Sequence, residues 1–276
     1  PATPDGADGA DGARPLVRVV RFEEPRLAHV AEIVLDRPEA MNAVSTPMAL
    51  AIAAAVAEVG ADHDVRCVVL TSSHDRAFCV GADLKERNAL SDAELMEQRP
   101  TARAAYNGVL DLPVPSVAAV DGFALGGGFE LALSCDVVVA GDGALVGLPE
   151  VGVGVIPGGG GTQLLVRRVG WSRAASMIFS ASKLPAAEAF ALGAVDQLVP
   201  AGSARARAMD LAATIAANSP VALRNAKRAM RLGADVDLAA GLEIEDGCWR
   251  ATAFSGDRRE GVAAFAEKRR PEWPGR

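Results

Sequence analysis

Residues 121–136 read DGFALGGGFELALSCD, with a run of three glycines, Gly126, Gly127 and Gly128, at the centre. A short apolar run, residues 117–120, precedes the glycines, and FELALS after them reads as a helix. Strand, glycine turn and helix together leave backbone N–H groups without partners at the helix N-terminus. Such groups attract negative charge. Glu130 falls in the first turn of this helix. A carboxylate beside anion-stabilising backbone suits proton transfer on a substrate that builds up negative charge. On its own the stretch is equally a tight turn followed by a helix with a capping glutamate.

On either side of it, strand and helix patterns alternate. Val17, Val19 and Phe22, then Val30, Glu32 and Val34, predict two paired strands with alternating faces. Ser45-Thr46-Pro47 is a helix start, with a hydroxyl cap and a first-turn proline, and that helix is expected to end at Gly60 as a C-terminal cap. Residues 67–70, 116–120 and 136–140 are short apolar strands, and 91–108 is polar and helix-prone. This alternation predicts an α/β architecture. From about residue 201 only helical patterns remain, over 204–217, 219–233, 236–254 and 257–268. Gly241 and Gly247 weaken the third of these. The opening PATPDGADGADGARP, residues 1–15, lacks aromatics and predicts a disordered tail.

A second glycine-rich stretch, LPEVGVGVIPGGGGTQ at 148–163, carries Glu150. No Gly-Lys-Ser/Thr follows its glycines, so it is no P-loop. The strand, glycine spacing and distal acid of a dinucleotide site do not coincide either.

With 276 residues, 50% of them hydrophobic, the chain can bury a large core without disulfide or metal staples. A net charge of −7 argues against nucleic acid or an anionic membrane as the main partner. Cys67, Cys79, Cys135 and Cys248 form no CxxC pair, which fits reduced thiols in a cytoplasmic protein. His29, His63 and His74 lack metal-ligand spacing, and no metal is expected.

Four blocks, in this order and spacing, carry a family likeness: AFCVGADLKER (77–87), AAVDGFALGGGFELALSCD (118–136), GLPEVGVGVIPGGGGTQ (147–163) and DRREGVAAFAEKR (257–269). From Val17 onward the chain resembles the crotonase superfamily, and within it the enoyl-CoA hydratases. LPVPSVAAVDG (112–122), SPVALRNAK (219–227) and VDLAAGLEIEDGC (236–248) look most like the methylglutaconyl-CoA hydratase branch, which includes AU-rich RNA binders. The resemblance implies a crotonase-like spiral of ββα units over 16–200 and a C-terminal helical trimerisation region over 201–276. Trimers, often paired into hexamers, are the implied assembly.

The resemblance also implies roles. Ala82, after Gly81, and Gly127, after Gly126, supply the backbone N–H groups of an oxyanion hole. Glu130 mainly activates water and Glu150 mainly protonates C2. Coenzyme A is part of an acyl-CoA substrate, and no separate cofactor is needed. Its moiety meets Ala40 and Met41 through backbone, and Asp83, Leu84 and Lys85 through the ADLK segment. Lys268 reaches a neighbouring subunit's CoA. Glu39 stands where many relatives have lysine, which removes one cationic contact. Leu84, Leu95 and Tyr106 are candidates for the thioester-end pocket. Double-bond isomerisation or decarboxylation is the alternative chemistry. RNA binding is not expected, because the helix over 47–60 contains no Lys or Arg to release counterions from phosphates.

Overall fold

The computed structural model describes residues 14–276. Nearly all of the predicted N-terminal tail lies outside the described residues.

Strands β1 (Val17–Arg21) and β2 (Val30–Leu35) pair antiparallel. Helix α1 (Thr46–Ala61) then returns the chain to β3 (Cys67–Ser72), parallel to β2. From here one unit recurs. A strand of a large sheet is followed by a three-residue strand of a small sheet and then by helix. The first unit is β3, β4 (Ala77–Cys79), α2 (Leu84–Ala89) and α3 (Asp92–Leu110). The second is β5 (Ser116–Val120), β6 (Phe123–Leu125) and α4 (Gly127–Ser134). The third is β7 (Val137–Gly141), β8 (Leu145–Gly147), a 3-10 turn at Pro149–Val153 and α5 (Gly161–Val169). Each unit adds one parallel strand to each sheet. Hence the orders β3-β5-β7 and β4-β6-β8, and hence the spiral.

After α5 come α6 (Trp171–Phe179), β9 (Lys183–Pro185), α7 (Ala186–Leu192) and β10 (Gln197–Val199). β9 closes the small sheet antiparallel to β8, and β10 closes the large sheet beside β7. Four helices finish the chain: α8 (Ala204–Ala216), α9 (Pro220–Gly233), α10 (Leu238–Ala253) and α11 (Gly256–Glu267). Among the described residues, no helix is long and apolar enough to cross a membrane.

The inner strands are apolar throughout because both of their faces are covered. Val68, Leu70, Ala118 and Val138 pack with Ile52 and Val56 of α1 and Leu131 of α4. Cys67, Val69, Val117 and Val139 face Ala208, Ala212 and Ala216 of α8. The alternation expected for β2 does not hold. All six of its residues are buried, since α8 covers the face that the sequence pattern left to solvent. Glu32 survives there because Arg205 of α8 binds it bidentately, at 2.6 and 2.7 Å, and Thr71 donates at 2.9 Å.

Ser45 caps α1 as the sequence predicts, but Gly60 does not end it. The helix continues to Ala61 and stops at Asp62 in extended conformation. Gly60 lies inside the last turn, and a Cβ there would make only ordinary contact with Pro113, at 3.5 Å. Helix α10 runs unbroken through Gly241 and Gly247. Gly241 faces Gly233 of α9, where a Cβ would lie at ordinary contact distance, 3.8 Å from the Gly233 Cα, and the packing of α10 on α9 offsets the poor helix propensity of its glycines. The helical region is tied to the core through Asp136, whose carboxylate accepts from Lys227 (2.7 Å), Arg231 (2.8 Å) and the Ser116 amide (2.8 Å).

Arg205→Ala should lower the urea midpoint by an amount equal to about 1–3 kcal/mol, because it leaves Glu32 buried with a single hydroxyl donor. Arg205→Lys should fall between, as an ammonium cannot form the planar fork. A midpoint unchanged in the alanine variant would show that Glu32 is satisfied without the arginine.

Candidate active site

The site is built where β4 and β6 end. Gly81, with φ of 92°, takes a left-handed turn just past β4. A Cβ on it would meet the Leu125 carbonyl at 2.8 Å and the Gly127 amide at 3.0 Å. Glycine alone allows these two backbones to touch. Ala82 is then held in a bridge with Val44: the Val44 amide donates to the Gly81 carbonyl at 2.7 Å, and the Asp83 amide to the Val44 carbonyl at 3.1 Å. Gly126 is anchored through its amide to the Gly147 carbonyl, at 2.9 Å. The amides of Ala82 and Gly127 donate to no backbone carbonyl among the described residues. Two N–H donors are thus left over from two elements brought into contact, and the second opens α4.

Glu130, one turn into α4, is 3% exposed. Its Oε1 accepts from the amides of Gly159 and Gly161, both at 2.7 Å. It therefore does not cap its own helix; it joins the two glycine stretches. Burial raises its pKa, against the pull of those two N–H groups and the Arg99 guanidinium. Glu150, on the 3-10 turn, lies beside the same glycines, with Oε1 3.0 Å from where a Cβ on Gly126 would stand. Its Oε2 is buried with no hydrogen-bond partner among the described residues. Burial, with the charge of Glu130 adding to it, pushes the Glu150 carboxyl up to about 7.

A buried carboxyl and a half-buried one thus lie at the glycine turns that carry two uncommitted amides. One carboxyl is clamped and one is free. The profile of the enoyl-CoA hydratase/isomerase family matches residues 26–276. The chain belongs to this family. It is 41% identical over 260 residues to the human mitochondrial methylglutaconyl-CoA hydratase, covering 93% of this chain and 77% of that one. It is 39% identical over 258 residues to an enoyl-CoA isomerase/hydratase of Mycosarcoma maydis, covering 91% and 94%. The crystal structure of an enoyl-CoA hydratase from Bacillus anthracis superposes with a TM-score of 0.90 at 36% identity, covering 95% of this chain and 100% of that one. The fold is the crotonase fold.

Around the two carboxyls, Tyr106 forms a wall. Its hydroxyl lies 2.3 Å from where a Cβ on Gly127 would stand, and its ring 2.8 Å from one on Gly159. Burial pushes its phenol far up. Arg99, two turns earlier on α3, donates to the Gly158 carbonyl at 2.7 Å and steadies the loop that holds Glu130. The glycines of 158–161 and the arginines of α2 and α3 were not singled out as site residues by sequence. The signal for Gly159 and Gly161 lay in the glycine run itself: a Cβ at either would come within 2.9 Å of the Glu130 carboxylate.

Ala40 ends a 3-10 turn, and Met41 follows with φ of 50°, its carbonyl accepting from the Val80 amide just ahead of Gly81. Asp83 caps α2 and accepts from Arg37 at 2.7 Å, so its carboxylate is committed to structure. Leu84 and Lys85 are exposed on the first turn of α2. Leu95 is exposed on α3, whereas Tyr106 is buried. Lys268 stands apart from this cluster, exposed at the end of α11, whose packing partners are α9 and α10. The thiols of Cys67, Cys79 and Cys135 are buried and pushed up to about 12, as inert core groups are. Among the described residues no cluster of His, Cys, Asp or Glu is arranged to hold a metal.

Gly159→Ala should disturb the clamped carboxylate without demanding a new backbone conformation. Steady-state kinetics should show kcat lowered about tenfold or more. A kcat within twofold of wild type would show that Tyr106 and Glu130 yield freely.

Proposed function

We propose that this protein is an enoyl-CoA hydratase, adding water syn across the double bond of an α,β-unsaturated acyl-CoA thioester to give a 3-hydroxyacyl-CoA. The observation that carries it is the pair of unequal carboxyls beside two free amides. The thioester oxygen sits at the amides of Ala82 and Gly127, which stabilise the enolate as charge reaches it and need no rearrangement to do so. The dipole of α4 adds to the Gly127 donor. Glu130, fixed by two N–H groups, takes a proton from water as the water oxygen attacks C3. Glu150, protonated up to about pH 7, gives its proton to C2. Lys85, with backbone at Ala40 and Met41, meets the CoA moiety.

Leu238 and Trp249 of α10, Phe254 just after it, and Phe265 of α11 are more than half exposed. Apolar surface of this extent supports a homo-trimer or homo-hexamer in which Lys268 meets a neighbour's CoA. Helix α1 offers no cation to an RNA backbone, and RNA is not proposed as a ligand.

Isomerisation is the second reading, favoured by the unengaged Oε2 of Glu150, which could shuttle a proton alone. pH separates the two. Hydration uses protonated Glu150, so kcat/KM should fall as pH rises through about 7, and fall again at low pH as Glu130 takes a proton. Isomerisation with Glu150 as base would instead rise through about 7.

Glu130→Gln and Glu150→Gln should each lower hydration of crotonyl-CoA by about 10²–10⁴-fold, read from loss of the enoyl-thioester absorbance. The double variant should be little worse, since groups acting as a unit are not additive. CoA affinity should change far less. Near wild-type hydration by Glu150→Gln, beside a dead Glu130→Gln, would sink the two-carboxyl mechanism.

A further inference from the structure

A cavity of about 910 Å³ lies between the end of α3, the first turns of α5 and α9, and none of its lining residues belongs to the site described above. Ligand pockets usually run to about 300–1,000 Å³, so a small molecule fits. Leu110, Leu112, Pro113, Leu164 and Leu232 give it an apolar wall. Its charges are one-sided: five cations against Asp111 and Asp235, in a chain whose net charge is −7. Four of the cations, Arg224, Lys227, Arg228 and Arg231, follow one another along α9 at spacings of three and four, which stacks them on one face. Lys227 and Arg231 are bound to Asp136 at 2.7 and 2.8 Å, and Arg167 of α5 is bound to Asp235 at 2.9 Å. The other two are not neutralised. Arg224 is half-buried and donates only to the carbonyls of Asp62, at 3.3 Å, and Val65, at 3.2 Å. Burial pulls its pKa down, against the charge of Asp62, whose carboxylate is itself taken by Arg21 at 2.9 Å. Arg228, one turn further along α9, enters no ion pair and no side-chain hydrogen bond among the described residues. Asp111 forms no ion pair with either.

A half-buried guanidinium has lost part of its hydration and gains from an anionic acceptor. A neutral apolar ligand would fill the leucine wall and leave both guanidiniums without one. A compact anion such as inorganic phosphate would meet the guanidiniums and leave the leucines in water. A ligand with both parts answers both needs. We propose that this cavity is a second ligand site, which takes an amphipathic monocarboxylate, a fatty acid of medium chain length. The carboxylate lies between Arg224 and Arg228, which stand one helical turn apart and can share a single anion. The chain runs along the leucines. The site is separate from the acyl-CoA chemistry, and its test stands whether or not the protein hydrates an enoyl-CoA.

Calorimetry on the full chain with octanoate, butyrate and octanol reads the two parts separately. Wild type should bind octanoate about tenfold or more tighter than butyrate, because the longer chain buries more CH₂ groups. It should bind octanoate about tenfold or more tighter than octanol, which offers no charge to the guanidiniums. Arg228→Gln should lower octanoate affinity by about tenfold and leave octanol unchanged. Arg228 is exposed and holds nothing else among the described residues, so this variant should melt at the wild-type temperature. Leu232→Glu, on an exposed position of the same helix, should weaken octanoate by a similar factor or more, since it sets an anion among the leucines. Saturating butyryl-CoA should leave octanoate bound. Octanol binding as tightly as octanoate, or Arg228→Gln binding octanoate like wild type, overturns the proposal. Displacement of octanoate by butyryl-CoA places the fatty acid in the acyl-CoA site and overturns it too. So does a wild type that binds no octanoate at millimolar concentration, as when a second copy of the chain covers the cavity.

Discussion

Everything in the site depends on one backbone contact, that of Gly81 with Leu125 and Gly127. A methyl group at Gly81 would force apart the ends of β4 and β6. The amides of Ala82 and Gly127 would then no longer face a common point. Gly128 enforces the same approach from the other side, since a Cβ there would fall 2.0 Å from the Cys79 carbonyl. The spiral explains why such closeness arises at all. Successive units lay β4 and β6 side by side, so the turns that leave them are neighbours although more than forty residues separate them in sequence.

The large sheet was legible because its strands are buried on both faces and therefore apolar without interruption, as in CVVL, SVAAV and VVVA. The small sheet was not. AFC, FAL and LVG are too short to show any period. Helix starts at Ser45 and Ser219 could be read from their capping residues, whereas the end of α1 could not, since the helix runs past Gly60 and stops at Asp62, in extended conformation and without a glycine. Glu32 defeated the period-two pattern because its partner, Arg205, lies 173 residues away.

The candidate site divides along the same line. Glycine turns and a first-turn glutamate are local, and they pointed to Glu130 directly. That its carboxylate is held by Gly159 and Gly161 is a contact across 29 and 31 residues, which no local pattern contains. Glu150 stood out only through the family likeness of its block, because a glutamate after a proline in a loop is otherwise unremarked.

The different anchoring of Glu130 and Glu150 has a consequence for how this chain can drift. Glu130 satisfies two amides, so an apolar replacement orphans them at about 1–3 kcal/mol each and weakens fold and chemistry together. Among the described residues Glu150 holds nothing in place, and its buried Oε2 lacks a partner, so losing it relieves the fold. Selection on stability alone therefore guards position 130 and erodes position 150. A duplicate copy released from its reaction would keep the spiral, the amides and one carboxylate, and would need new chemistry at a single codon.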